Sequence, residues 1–194
     1  MAETFDYIIC GAGSAGCVLA NRLSADPANK VLLLEQGGHD RRFWSRIPVG
    51  YYKAVYDPKM SRTFATEPSD GTAGRSVPWP RGRMIGGSSS INGLIFIRGQ
   101  HQDFDDWEAL GADGWGWRDV LPHFRKLECY QGGESQWRGA LGELQVSELR
   151  DDNPACAAWL ESAEAWGLPH TPDFNGETTA GSGRYQLSID SLSG

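Results

Sequence analysis

Short apolar runs alternate with glycine-rich and polar turns along the first third of the chain. Tyr7-Ile8-Ile9-Cys10 is apolar and is followed by a glycine-rich turn over 11–16. Over 14–24 the apolar residues fall at helical spacing, with Val18, Leu19 and Leu23 on one side. Asp26-Pro27-Ala28-Asn29 marks a loop, and Val31-Leu32-Leu33-Leu34 is an unbroken apolar run. Such a run is the pattern of a central parallel strand buried on both faces. The order strand, helix, strand predicts one βαβ unit.

Residues 37–80 read as irregular, since Pro48, Pro58, Pro68, Pro78 and Pro80 punctuate them. A loop of that length in a compact domain usually covers a ligand. Periodicity leaves 90–97 open between helix and strand. A helix is predicted over 103–110, with Phe104 and Trp107 on one face and Gly111 as its stop. A second spans 117–127, and its Pro122 has to lie near the first turn, where a missing N–H costs little. Residues 143–147 alternate as a strand. Asn153 and Pro154 open a third helix that Gly167 ends. Residues 185–189 start a strand for which the chain offers no evident partner, an exposed edge.

Composition narrows the class. With 40% hydrophobic and 22% charged residues the chain is globular. Its 25 glycines are about twice the usual share, which places backbone close to a ligand. A net charge of −7 argues against nucleic acid and anionic membranes. The start MAETFD has no basic leader and no apolar run reaches membrane length, so a cytoplasmic protein without a transmembrane segment is expected. Cys10, Cys17, Cys129 and Cys156 show no metal spacing and are expected to be reduced core thiols. No metal is expected.

The turn GAGSAG places Gly11, Gly13 and Gly16 between a strand and a helix. In a dinucleotide fingerprint these give the tight turn, close approach to a pyrophosphate, and close helix packing. The helix N-terminus offers N–H groups and positive potential to the phosphates. Glu35 ends the second strand, where a carboxylate accepts from ribose hydroxyls and repels a 2′-phosphate. That leaves FAD or NAD. A second glycine-rich stretch, RGRMIGGSSSINGLIFIRG over 81–99, bares backbone at Gly86-Gly87 and adds Ser88, Ser89, Ser90 and Asn92 as small polar groups. Such a loop suits the polar edge of a flat ring or another part of a pyrophosphate.

The second stretch resembles the first signature of the glucose–methanol–choline (GMC) flavin oxidoreductases. It agrees at Gly82, Arg83, Ile85, Gly86, Gly87, Ser88, Ser89, Ile91, Asn92, Phe96, Gly99 and Asp105. Further agreement lies in FDYIICGAGSAGCVLANRLS with LLLEQGG, TEP at Thr66, WPRG at Trp79, DDWEALGADGW from Asp105, and GLPHTPDFNGE. The resemblance runs almost to Ile189 and is nearest the choline dehydrogenase and alcohol dehydrogenase branch.

The resemblance implies the N-terminal part of a truncated α/β Rossmann-like FAD-binding domain over 1–138 and the incomplete beginning of an α+β substrate-binding domain over 139–194. It implies FAD, with Ser14 and Ala15 at the pyrophosphate and Glu35 at the adenosine ribose. Met84, Gly87, Asn92, Gly93 and Ile95 would line the isoalloxazine. Some members bond flavin through a histidine that precedes the asparagine; here Ile91 stands there, so non-covalent FAD is expected. The family passes hydride from an alcohol carbon to flavin while a histidine takes the hydroxyl proton. That histidine belongs to the family's C-terminal portion, and the chain reaches Gly194 before it. No catalytic residue is therefore assigned, and the chain alone is expected to be inactive. His39, His101, His123 and His170 show no carboxylate at catalytic spacing. A small alcohol is the implied substrate, and the electron acceptor stays open between oxygen and a quinone-type carrier. Other readings are a non-catalytic FAD or ADP module, a degenerate truncated gene product, and an NAD dehydrogenase supported by the first fingerprint alone.

Overall fold

The computed structural model describes residues 3–150 and 153–190. By packing, the chain divides into two compact units, Met1–Gly93 and Leu94–Gly194. The boundary in ligand roles expected near Gly139 lies inside the second unit.

In the first unit β1 (Tyr7–Cys10), α1 (Ser14–Ser24) and β2 (Val31–Leu34) form the expected βαβ unit. β1 and β2 run parallel, with Tyr7 opposite Val31 and Cys10 opposite Leu34. β2 is not buried on both faces as the apolar run implied. Leu34 is exposed, as are Ile8 on β1 and Val18 and Leu19 on α1. A two-stranded sheet covered by one helix leaves a face bare, and no other described strand joins β1 or β2. The residues have the composition of an inner strand; coverage is what differs.

The segment 37–80 is more regular than its prolines imply. It holds α2 (Phe43–Arg46), α3 (Tyr51–Ala54), β3 (Ser61–Ala65) and the start of β4 (Pro78–Gly82). β3 and β4 pair antiparallel, with Phe64 opposite Trp79. Prolines are tolerated in β4 because it has one partner, so a missing N–H can face the open edge. Ala54, Met60, Met84 and Ile91 make the core of this unit.

The second unit contains β5 (Ile95–Phe96), α4 (His101–Ala109), α5 (Trp117–Leu127), β6 (Glu128–Tyr130), β7 (Leu144–Val146), α6 (Pro154–Ala165) and β8 (Gln186–Leu187). The ambiguity over 90–97 resolves into the end of a 3-10 turn (Gly87–Ser90) followed by β5. The strand expected to lack a partner has one. β8 pairs antiparallel with β5, Ile95 opposite Leu187, and Ser147 exchanges two 2.9 Å backbone hydrogen bonds with Leu187. Pro122 sits a turn further into α5 than expected, where it removes the bond to the Arg118 carbonyl. Asn153 caps α6 through a 2.9 Å bond from the Ala155 amide. The four cysteines form no disulfide, and they are not core thiols. Cys10 and Cys156 are exposed and Cys17 and Cys129 half-buried, since the outer faces of β1 and α6 stay uncovered.

Candidate functional site

The first glycine-rich turn is shaped by steric necessity. Gly11 adopts φ +95°. A Cβ on Gly16 would lie 1.9 Å from the Gly11 carbonyl oxygen, so α1 seats on the turn only with glycine there. Gly13 precedes α1, and a Cβ on it would meet nothing within 4 Å. Ser14 and Ala15 are exposed in the first turn of α1. The first N–H groups of a helix have no intrahelical acceptor and point toward any anion placed there.

Glu35 braces the ends of both strands. Its Oε2 accepts from the Ala12 amide and its Oε1 from the Gly37 amide, each at 2.8 Å. A carboxylate has about four lone-pair sites, so two remain for ribose hydroxyls. Cys10, Gly11, Leu34, Glu35, Gln36, Gly82 and Arg83 line a cleft of about 500 Å³ beside it. The cleft lies at the carboxyl ends of β1 and β2, where parallel sheets hold their ligands. Gln36, Gly82 and Arg83 were not identified from sequence as part of it, since only the fold brings β4 to this point.

The second glycine-rich stretch locks onto the first. The Gly86 amide donates to the Ala12 carbonyl at 2.7 Å and the Ile85 amide to the Gly38 carbonyl at 3.0 Å. Gly87 has φ +56°, and a Cβ on it would come within 2.8 Å of the Gly13 Cα. Each of the serines bonds the loop itself. Ser89 and Ser90 hydroxyls donate to the Gly86 and Ile85 carbonyls at 2.6 and 2.9 Å, and Ser88 Oγ accepts from the Gly82 amide at 3.1 Å.

Of the residues expected along the ring, Met84 is wholly buried in the core, and its carbonyl accepts from the Gly87 amide at 2.8 Å. Ile91 is a core residue as well. Asn92 and Gly93 are exposed at the end of the first unit. Ile95 is exposed on β5, in the second unit.

The histidines depart from expectation at one position. His170 Nδ1 lies 3.0 Å from Glu164 Oε1, a carboxylate partner that the sequence reading did not find. Both side chains are about half exposed, and an exposed pair of this kind contributes little. His101 stacks on Trp117 at 3.9 Å between centroids. Among the described residues no group of three or more His, Cys, Asp or Glu is placed to hold a metal ion. None of the described helices is long and apolar enough to cross a membrane.

The second unit holds a buried ionic cluster that sequence reading missed. Glu128 accepts from Arg98 Nη2 at 2.5 Å, Arg138 Nε and Nη2 at 3.1 Å, and the Gly139 amide at 2.8 Å. Arg138 also donates to Asp173 at 2.8 Å and lies 3.7 Å from the centre of the Tyr130 ring. Burial lowers the pKa of Arg98. It acts the same way on Arg138, but the bond to Glu128 and the charge of Asp173 outweigh it and raise that group. The charges balance within the cluster, as structural ion pairs require.

Comparison over the whole chain settles what the two interlocked loops belong to. Residues 5–191 match the GMC oxidoreductase family. The chain is a member of that family. It is 42% identical over 192 residues to an oxygen-dependent choline dehydrogenase of Photobacterium profundum, covering 98% of this chain and 34% of that protein. It is 43% identical over 185 residues to an alcohol dehydrogenase [acceptor] of Pseudomonas putida, covering 95% of this chain and 34% of the relative. Pyridoxine 4-oxidase from Mesorbium loti superposes with TM-score 0.90 at 34% identity, over 97% of this chain and 37% of its own. The GMC chain thus spans about a third of the length of these relatives.

Proposed function

We propose that this GMC chain supplies the FAD-binding part of a flavin-dependent alcohol oxidoreductase. The supporting observation is the interlock of the two glycine-rich loops beside the cleft at Glu35. Gly11, Gly13, Ser14 and Ala15 would present backbone N–H groups and the α1 dipole to the pyrophosphate, with Gly16 seating the helix. Glu35 would accept from the ribose hydroxyls. Gly87, Asn92 and Gly93 would face the ring. Bound FAD supplies the hydride acceptor for oxidation of a CH–OH carbon. Binding is non-covalent, because Ile91 has no nucleophile and is packed in the core. Residues 1–138 serve the cofactor and 139–194 begin the part that meets substrate, a small alcohol, in keeping with the names of the choline and alcohol dehydrogenase relatives.

The experiment is a titration of the chain with FAD followed by quenching of flavin fluorescence. Saturable binding that ADP competes and 2′-phosphorylated ADP does not is expected. Absence of FAD binding would refute the reading. Flavin retained on the polypeptide after acid precipitation would refute the non-covalent part.

A further inference from the structure

Leu94 is a bulky residue held at φ +66°. The left-handed region brings the Cβ of an L-residue close to the following carbonyl oxygen, and only Gly, Asn and Asp visit it readily. Such a conformation persists where surrounding bonds over-determine it, and it clusters at ligand sites. Leu94 directly follows Asn92 and Gly93 and precedes Ile95.

Ser188 grips it. Ser188 donates twice to the same Leu94 carbonyl, from its amide at 2.8 Å and from its hydroxyl at 3.0 Å. Ser188 is itself well anchored. It follows β8, which pairs with β5 through Ile95 opposite Leu187 and exchanges two bonds with Ser147 on its other side. Gln186, fully buried, accepts from Asn175 at 3.1 Å, and Asn175 in turn donates to the Phe96 carbonyl at 3.1 Å. Both ends of the pincer are thus tied to one hydrogen-bonded frame.

We infer that Ser188 is a positioning residue: its two hydrogen bonds to the Leu94 carbonyl hold Leu94 left-handed and so fix the backbone that leads into β5 at Ile95. The consequence for flavin rests on the function proposed above; the grip itself does not.

Hydrogen exchange of the full chain, read at single amides, tests the grip without any ligand. Ser188→Ala deletes one of the two bonds and should lower protection of the amide at position 188 about five-fold, the worth of one neutral hydrogen bond. Amides of α5 should stay unchanged, whereas a general loss of stability would lower both. Ser188→Thr keeps the hydroxyl and should restore protection. Leu94→Asn, which suits φ > 0, should raise protection at 188, and Leu94→Val should lower it. Unchanged protection in Ser188→Ala, or Leu94→Val protected as well as Leu94→Asn, overturns the inference. FAD titration of the same variants is read separately. Failure of the unmodified chain to bind FAD would refute the proposed function and leave the exchange result to decide the grip.

Discussion

Replacing Glu128 by glutamine separates the charge of the buried cluster from its shape. Glu128 is 0% exposed, and the side chains of Arg98 and Arg138 are each 2% exposed. Its Oε1 takes bonds from Arg98, from Arg138 and from the Gly139 amide, while Oε2 takes two from Arg138, from Nε at 3.3 Å and from Nη2 at 3.1 Å. Glutamine keeps one acceptor oxygen but turns the other site into an NH₂ donor facing guanidinium or amide donors. Asp173 alone would then balance two buried cations. Breaking a buried ion pair by removing one partner costs about 3–5 kcal/mol. The retained amide oxygen places Glu128→Gln near the lower end, about 3 kcal/mol. Urea unfolding followed by tryptophan fluorescence measures it. With a slope of about 1–3 kcal/mol per molar urea, the midpoint should fall by about 1 M or more. A loss below about 1 kcal/mol would refute the reasoning, because it would mean that the cluster is hydrated and behaves as a surface pair.

Other outcomes follow from single contacts. Gly87→Ala drives a Cβ to 2.8 Å from the Gly13 Cα, so FAD titration should show binding lost while the α5 amides keep their exchange protection. Asn153→Ala removes the cap bond to Ala155 and should cost about 1 kcal/mol in urea unfolding; no change would mean that α6 frays at this end already. Burial first, and then its bond to Glu148, raise the Tyr130 phenol above its ordinary 10.0. The fold favours the protonated phenol, so its contribution is whole below pH 10.0 and declines as pH rises beyond it. Tyr130→Phe should flatten that alkaline decline in a series of urea midpoints, and an unaltered slope would assign the decline elsewhere. Cys10 and Cys156, both exposed, should react with a thiol reagent faster than Cys17 and Cys129; a uniform rate would contradict the burial pattern.

Much of the local structure was legible along the chain because it depends on neighbouring residues. The 3.6-residue spacing of Val18, Leu19 and Leu23, the glycines at 11, 13 and 16, and Asn153 before Pro154 each act within a turn or two of themselves. β1, α1, β2 and α6 accordingly fall where periodicity and caps put them. The segment 37–80 was misread because proline density reports the missing N–H and not the strand it can edge. β4 carries Pro78 and Pro80 opposite Ala65 and Thr63.

The sequence by itself determined the βαβ unit, the fingerprint with Glu35 at its end, and a second glycine-rich stretch that resembles one flavin family. Tertiary structure decided that the two stretches are one object, joined from Gly86 to Ala12, with Ile85 tied to Gly38 beyond β2. It decided that Ser89 and Ser90 bond their own loop and that Met84 packs inward. It also paired β8 with β5 and gathered Arg98, Glu128, Arg138 and Asp173 in one interior. The division has a physical cause. Periodicity, caps and turn glycines act over a few residues, whereas burial and long-range hydrogen bonds depend on which distant segments the fold brings within about 3 Å.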